Sequence, residues 1–146
     1  MRILIADDDY HTLVTIRRML QPFGRRDTAM TGLEALDRFR EALAEDDPYG
    51  LVVLDIVMPQ VDGLAALEKM HQLQAEHGIP EGEGAVFLIA TGLTDSGVRR
   101  RAQEEFKPHA YINKPVDLDG LTNLLVRLGV DQAEDASRSG GQLGEG

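Results

Sequence analysis

The sequence predicts a parallel α/β domain, and three observations carry that reading. The runs at residues 3–6, 51–54 and 86–90 are apolar with no polar alternation, the pattern of strands covered on both faces of a parallel sheet. Amphipathic helical patterns lie between the strands, and the connections hold the ten or more residues that a parallel crossover needs. At 146 residues the chain accommodates one such domain rather than two.

Taken in order, the first strand (3–6) is followed by apolar positions at Leu13, Ile16 and Leu20 beside Arg17. A weaker strand at 27–30 precedes Leu33, Leu36, Phe39 and Leu43, and the strand at 51–54 precedes Leu64, Leu67, Met70 and Leu73. The strand at 86–90 leads to Val98, Ala102 and Phe106, and a second weak strand at 110–112 leads to Leu118, Leu121, Leu124, Leu125 and Leu128. Spacings of three and four put each set on one helix face, packed against a sheet. The stretch 74–84, rich in Gly and Glu, reads as a long loop. Residues 131–146 contain one large apolar side chain and read as a disordered tail, which leaves 1–130 as the domain.

Composition narrows the function. Fifteen Lys and Arg against 25 Asp and Glu give a net charge of −10, which disfavours direct nucleic-acid binding because neutralising phosphates takes clustered cations. The absence of cysteine removes disulfides, thiolate metal sites and cysteine nucleophiles. No window approaches the roughly 20 apolar residues of a membrane span and the N-terminal run is too short for a signal peptide, so the expectation is a cytoplasmic protein.

Ligands of parallel sheets bind beyond the carboxyl ends of the strands. There the sequence places Asp7, Asp8 and Asp9 after strand one, Asp55 after strand three, Thr91 at strand four, and Lys114-Pro115 after strand five. A single Asp or Thr in such a place caps the next helix. Carboxylates, a hydroxyl and an amine from four strand ends go beyond capping. Two carboxylates about 5 Å apart repel by roughly 3 kcal/mol at an effective dielectric of 20, and a hard divalent cation with oxygen ligands, such as Mg²⁺, compensates them. A carboxylate ringed by Mg²⁺, ammonium and hydroxyl is set up to attack phosphorus.

These motifs resemble the response regulator receiver domain of two-component signalling: Ile3-Leu4-Ile5-Ala6-Asp7-Asp8-Asp9, Leu54-Asp55-Ile56-Val57-Met58-Pro59 followed by Asp62-Gly63, Ala90-Thr91-Gly92, and Ile112-Asn113-Lys114-Pro115. The resemblance implies a flavodoxin-like (βα)5 fold with strand order 2-1-3-4-5 and Asp55 as phosphoacceptor. It implies that Asp8, Asp55 and the Val57 carbonyl bind Mg²⁺ directly, with Asp7 holding it through water. Asp9 is read as a cap. Thr91 would follow the phosphoryl group, Lys114 would pair with it through a cis Lys114-Pro115 bond, and Tyr111 would be the aromatic switch residue, although the residues alone read it equally as a half-buried strand tyrosine. The implied partners are a histidine kinase or phosphotransfer protein and a downstream protein target, with a homodimer allowed and neither nucleic acid nor membrane contacted.

Two departures from the family pattern stand out, the long 74–84 stretch and Glu105-Phe106-Lys107-Pro108-His109 in place of a small glycine-containing turn. A haloacid dehalogenase-type enzyme also uses an aspartyl nucleophile with Mg²⁺, but Val57 occupies the place of its second Asp, so a phosphoacceptor without turnover of external substrates is expected. The first strand leads into Asp7-Asp8-Asp9 and not a glycine-rich phosphate loop, which excludes a dinucleotide site. His11, His71, His77 and His109 lack metal spacing and read as surface residues. Arg99, Arg100 and Arg101 with Arg127 form a candidate docking patch, set against the simpler reading of a solvated helix face. Val57 and Leu93, two positions after Asp55 and Thr91, cannot hydrogen-bond to an attacking water, which points to slow loss of phosphate. The short remainder after Val130 favours a stand-alone receiver.

Overall fold

The computed structural model describes residues 1–92, 100, 104 and 108–132. The five strands are β1 (Arg2–Ala6), β2 (Arg25–Ala29), β3 (Leu51–Leu54), β4 (Val86–Thr91) and β5 (Ala110–Asn113). They form a parallel sheet of order β2-β1-β3-β4-β5, as the resemblance implies. Four helices are described, α1 (Tyr10–Met19), α2 (Gly32–Ala44), α3 (Gly63–Glu76) and α4 (Leu118–Arg127), with a 3-10 turn at Gln21–Phe23. The helix expected through Val98, Ala102 and Phe106 lies outside the described residues, as does the tail from 133 onward.

Each helix starts where a short polar side chain can take an unpaired backbone N–H. Asp9 accepts from His11 N–H, Thr31 from Glu34, Asp62 from Ala65 and Asp117 from Gly120. Asp9 is thus the cap that the sequence suggested. Glu34, three residues after Thr31, reaches back to the Met30 N–H at 2.9 Å, a variant of the capping box.

The sheet buries both faces. Ile3, Ile5, Val53, Leu88 and Ala90 pack with Leu13 and Ile16 of α1 and Leu121 and Leu125 of α4. Leu4, Val52, Leu54, Phe87 and Ile89 pack with Leu36 and Phe39 of α2 and Leu67 and Met70 of α3. Every residue of β1 and β3 is buried, which is why those strands read as unbroken apolar runs. Burying one Leu or Ile contributes about 2 kcal/mol, so these two layers supply the main driving force.

Several expectations shift. Strand β2 begins at Arg25, two residues early, because its backbone continues the β1 ladder from Arg2↔Arg25 onward despite polar side chains. Leu33 and Leu118 are exposed, not core-facing, since each opens its helix at the solvent side. Helix α3 runs to Glu76, so the loop to β4 is shorter than the composition indicated, and Gln74 Oε1 ties it down by accepting the Ala85 N–H at 2.8 Å. Nor are the histidines all plain surface groups. His71 packs its ring 4.8 Å from that of Phe87, and His109 Nδ1 accepts the Phe87 N–H at 3.0 Å. His109 is exposed, as the sequence reading expects, and partial desolvation of its ring, with a smaller contribution from His71, lowers its pKa. Of the proposed arginine patch, Arg100 and Arg127 are exposed and Arg99 and Arg101 lie outside the described residues.

Arg2, only 9% exposed, ties the amino end of the sheet together. Its Nε lies 3.1 Å from Asp27, its Nη1 2.8 Å from Glu45, and its guanidinium 5.0 Å above the Tyr49 ring, while Tyr49 donates its hydroxyl to Asp27 at 2.7 Å. At the other end, two glycines seat the β3–α3 connection. A Cβ on Gly63 would overlap the Asp55 backbone carbonyl, and one on Gly32 would overlap that of Val61. Gly63→Ala should therefore cost about 2 kcal/mol in urea unfolding, in the range of overpacked sites. Gly92→Ala, where nothing lies within 4 Å of the added carbon, should cost far less; equal losses would show that the Gly63 contact is not the constraint.

Candidate metal and phosphoryl site

Backbone pairing brings the expected residues to one edge. The ladder joining β1 and β3 ends at Ala6↔Leu54, and beyond it the Asp55 N–H donates to Ala6 O at 2.9 Å and the Asp7 N–H to Ala29 O at 3.0 Å. Asp7 and Asp55 thereby emerge side by side from adjacent central strands. The β4–β5 ladder ends at Thr91↔Asn113, and the Lys114 N–H donates to Thr91 O at 3.0 Å, which carries Lys114 to the same edge. The Lys114-Pro115 bond is cis, as expected.

One carboxylate oxygen from each of Asp7, Asp8 and Asp55 can be chosen so that all lie within 4.8 Å of one another. Asp7 is 1% and Asp55 8% exposed, whereas Asp8 faces solvent. Lys114 Nζ lies 2.6 Å from Asp7 Oδ2 and 3.3 Å from Asp55 Oδ2. The closer pair is an ion pair without hydrogen-bond angles, so the buried Asp7 Oδ2 has no properly directed donor. Asp7 Oδ1 is occupied by the Asp9 N–H at 2.9 Å. This is a cluster of hard oxygen donors with lone pairs left over, and it fits a small divalent cation such as Mg²⁺.

Burial, and then repulsion from Asp7, pushes the Asp55 carboxyl above the usual carboxylate range, against the opposing pull of Lys114 and the Val57 N–H. Burial works against the charge on Lys114, but Asp7 and Asp55 together outweigh it and raise its pKa. The ammonium stays charged. It offsets only part of the repulsion, because one cation faces two buried carboxylates.

Thr91 is 1% exposed at the end of β4. Tyr111, paired with Ile89, is half-buried against the core layer that contains Ile89. Thr91 stands two residues beyond Ile89 and so shares that face. The Val57 side chain is 61% exposed at the rim, and Leu93 lies outside the described residues. Gly63 carries a role that its place in the Asp62-Gly63 motif does not reveal, because its contact with the Asp55 backbone depends on how α3 folds back beneath the strand end.

With its pKa raised, Asp55 binds protons more readily folded than unfolded, so its contribution to stability is greatest at acid pH and falls as pH rises from the unfolded value near 3.8 through the folded one. Asp55→Asn should consequently melt a few degrees above wild type at pH 7 in EDTA, and Mg²⁺ should narrow the gap by stabilising wild type more. A variant that melts lower would mean that Lys114 fully compensates the carboxylates.

Comparison with known proteins agrees with this geometry. The chain is 36% identical over 122 residues to the response regulator MprA of Mycobacterium avium, covering 83% of this chain and 47% of that protein. It is 28% identical over 134 residues to histidine protein kinase 1 of Candida albicans, covering 88% of this chain but 5% of that one. The chain thus spans about half or less of the length of these relatives. Among solved structures it resembles a CheY-like response regulator receiver domain protein from Methanospirillum hungatei, with TM-score 0.69 and 26% identity over 87% of this chain and 91% of that one. The receiver domain of the Arabidopsis thaliana histidine kinase CKI1, solved with Mg²⁺ and BeF3⁻, shares the fold at TM-score 0.77 and 18% identity, over 89% and 90% of the two chains. Residues 3–126 match the family model of the response regulator receiver domain, and the chain belongs to that family.

Proposed function

We propose that this receiver accepts a phosphoryl group on Asp55 from a histidine kinase or phosphotransfer protein, with Mg²⁺, and that the modification switches its contacts with other proteins. The observation that carries the reading is the convergence of Asp7, Asp8 and Asp55 oxygens within 4.8 Å, with Lys114 paired to two of the three. Asp7, Asp8, Asp55 and the Val57 carbonyl would hold the Mg²⁺, whose charge neutralises phosphoryl oxygens when it is bound.

A deprotonated Asp55 oxygen attacks phosphorus as the bond from phosphorus to the donor histidine nitrogen breaks, and the donor ring, already protonated on its other nitrogen, leaves as neutral imidazole. Lys114, already at the site, pairs with a phosphoryl oxygen, and the Thr91 hydroxyl donates to another. Moving Thr91 toward the phosphoryl group frees space on the sheet face it shares with Tyr111, so Tyr111 is the residue that reports phosphorylation to the surface near β5. The chain is then a phosphoacceptor that takes part in its own phosphorylation and dephosphorylation, not an enzyme that turns over external substrates. We assign residues 1–130 to the receiver, since Val130 is 3% exposed within the α1 and α4 layer, and 131–146 to a tail. No helix among the described residues is long and apolar enough to cross a membrane, which accords with our placement in the cytoplasm.

Intact-mass analysis with Mg²⁺ and a small phosphodonor should show one labile phosphoryl group on wild type and none on Asp55→Asn. A modified Asp55→Asn protein would refute the acceptor assignment. Because Val57 and Leu93 offer an attacking water no hydrogen bond, the Val57→Asn, Leu93→Glu double variant should lose phosphate several-fold faster at the same Mg²⁺. Equal rates of phosphate release would remove these positions from control of the lifetime.

A further inference from the structure

We propose that a second, separate site, between α1, β2 and α2, binds a phosphate-bearing small anion. A cavity of about 320 Å³ lies there, lined by Arg17, Arg26 and Arg38 together with Tyr10, Thr28 and Asp27. None of these belongs to the acidic cluster. β2 is an edge strand paired only with β1, so the cavity opens at the side of the sheet.

In a chain of net charge −10, three guanidinium groups around one concavity are an unexpected concentration of cations, and the groups facing them do not neutralise it. No ion pair among the described residues engages Arg17 or Arg26. Among the described residues Arg26 donates only to the backbone carbonyls of Gly24 and Arg17, at 3.2 and 3.0 Å. Arg38 has one contact with a carboxylate, Glu34 at 3.4 Å, and its Nε–H is buried without an acceptor. A buried donor left unpaired is costly, and a bound anion would relieve it. Asp27, the one acidic group in the lining, has Oδ2 committed to Arg2 at 3.1 Å and Tyr49 at 2.7 Å, and its Oδ1 lies 3.8 Å from Arg25.

The chemistry that answers this arrangement is a compact anion with several oxygens. Guanidinium forks match phosphate geometry, and charge-assisted bonds from them are about twice as strong as neutral ones. The Tyr10 and Thr28 hydroxyls add neutral donors. The volume sits at the lower end of the range for small-molecule sites, which favours a phosphate or pyrophosphate group over an acidic peptide, whose charges are strung along a chain.

The probe is inorganic pyrophosphate, titrated by calorimetry and amide NMR in chloride buffer with EDTA, so that no divalent ion recruits it to the acidic cluster. Saturable binding with shifts at the Arg26 and Thr28 amides is expected. Arg26→Ala with Arg38→Ala should weaken it about tenfold or more, and Asp55→Asn should leave it unchanged. Arg17→Ala, on the exposed face of α1, should weaken it without threatening the fold. Absence of saturation by about 10 mM would overturn the assignment. So would equal affinity of the arginine variants, loss of binding in Asp55→Asn, or binding of a peptide copying residues 131–146 in place of pyrophosphate.

Discussion

One ammonium group faces two nearly buried carboxylates at the carboxyl edge of the sheet, and much of the fold serves to hold that imbalance in place. Asp7 and Asp55 would separate if they were on loops. They cannot, because each is pinned by its own backbone N–H, Asp7 to Ala29 and Asp55 to Ala6, one step past the end of the strand ladder. Lys114 is fixed in the same way, through Thr91. Carboxylates held at this separation leave unused acceptor capacity in a nearly dry place, which is the condition under which a divalent cation and phosphoryl oxygens are most strongly attracted.

The amino edge shows the opposite solution. There Arg2 is surrounded by Asp27, Glu45 and the Tyr49 ring, and Tyr49 closes the network on Asp27. Removing one partner from such a network would leave a buried charge uncompensated, so this end is rigid by construction. The two ends differ in whether their charges are satisfied, and the end that falls short is the one proposed to accept the phosphoryl group. A similar shortfall of opposite sign marks the arginine-lined cavity beside β2, where the Arg38 Nε–H lacks an acceptor.

Packing links the site to the helices. Gly63 has no room for a side chain because the first turn of α3 rests on the Asp55 carbonyl, and Gly32 brings the start of α2 against Val61 in the connection leaving β3. Tyr111 lies on the core layer that also holds α2 and α3. In the proposed switch, a displacement at Thr91 would act on the face of the sheet on which Tyr111 is half-buried.

The sequence by itself determined the central strands, the apolar faces of the helices, the Asp9 cap and the strand-end residues. Continuous apolar runs at β1, β3 and β4 admit few structures other than strands buried on both faces, and Asp9 is a local capping signal that needs no knowledge of the fold. Asp7, Asp8, Asp55, Thr91 and Lys114 were legible because strand ends in a parallel sheet share one edge. What depended on long-range contacts was not legible. β2 is polar, so it reads only as a weak strand starting two residues late, its full extent being set by the ladder to β1, and Leu33 and Leu118 have apolar spacing but stand where their helices meet solvent. His71 and His109, far apart in the chain, flank Phe87 only after α3 and β5 pack on β4. Tertiary structure alone decided that Lys114 pairs with both Asp7 and Asp55, that Gly63 lies beneath Asp55, and that Arg17, Arg26 and Arg38 surround one cavity. Periodicity and capping are set by neighbours in the chain, whereas charge pairing and close packing are set by residues that meet only when the sheet has formed.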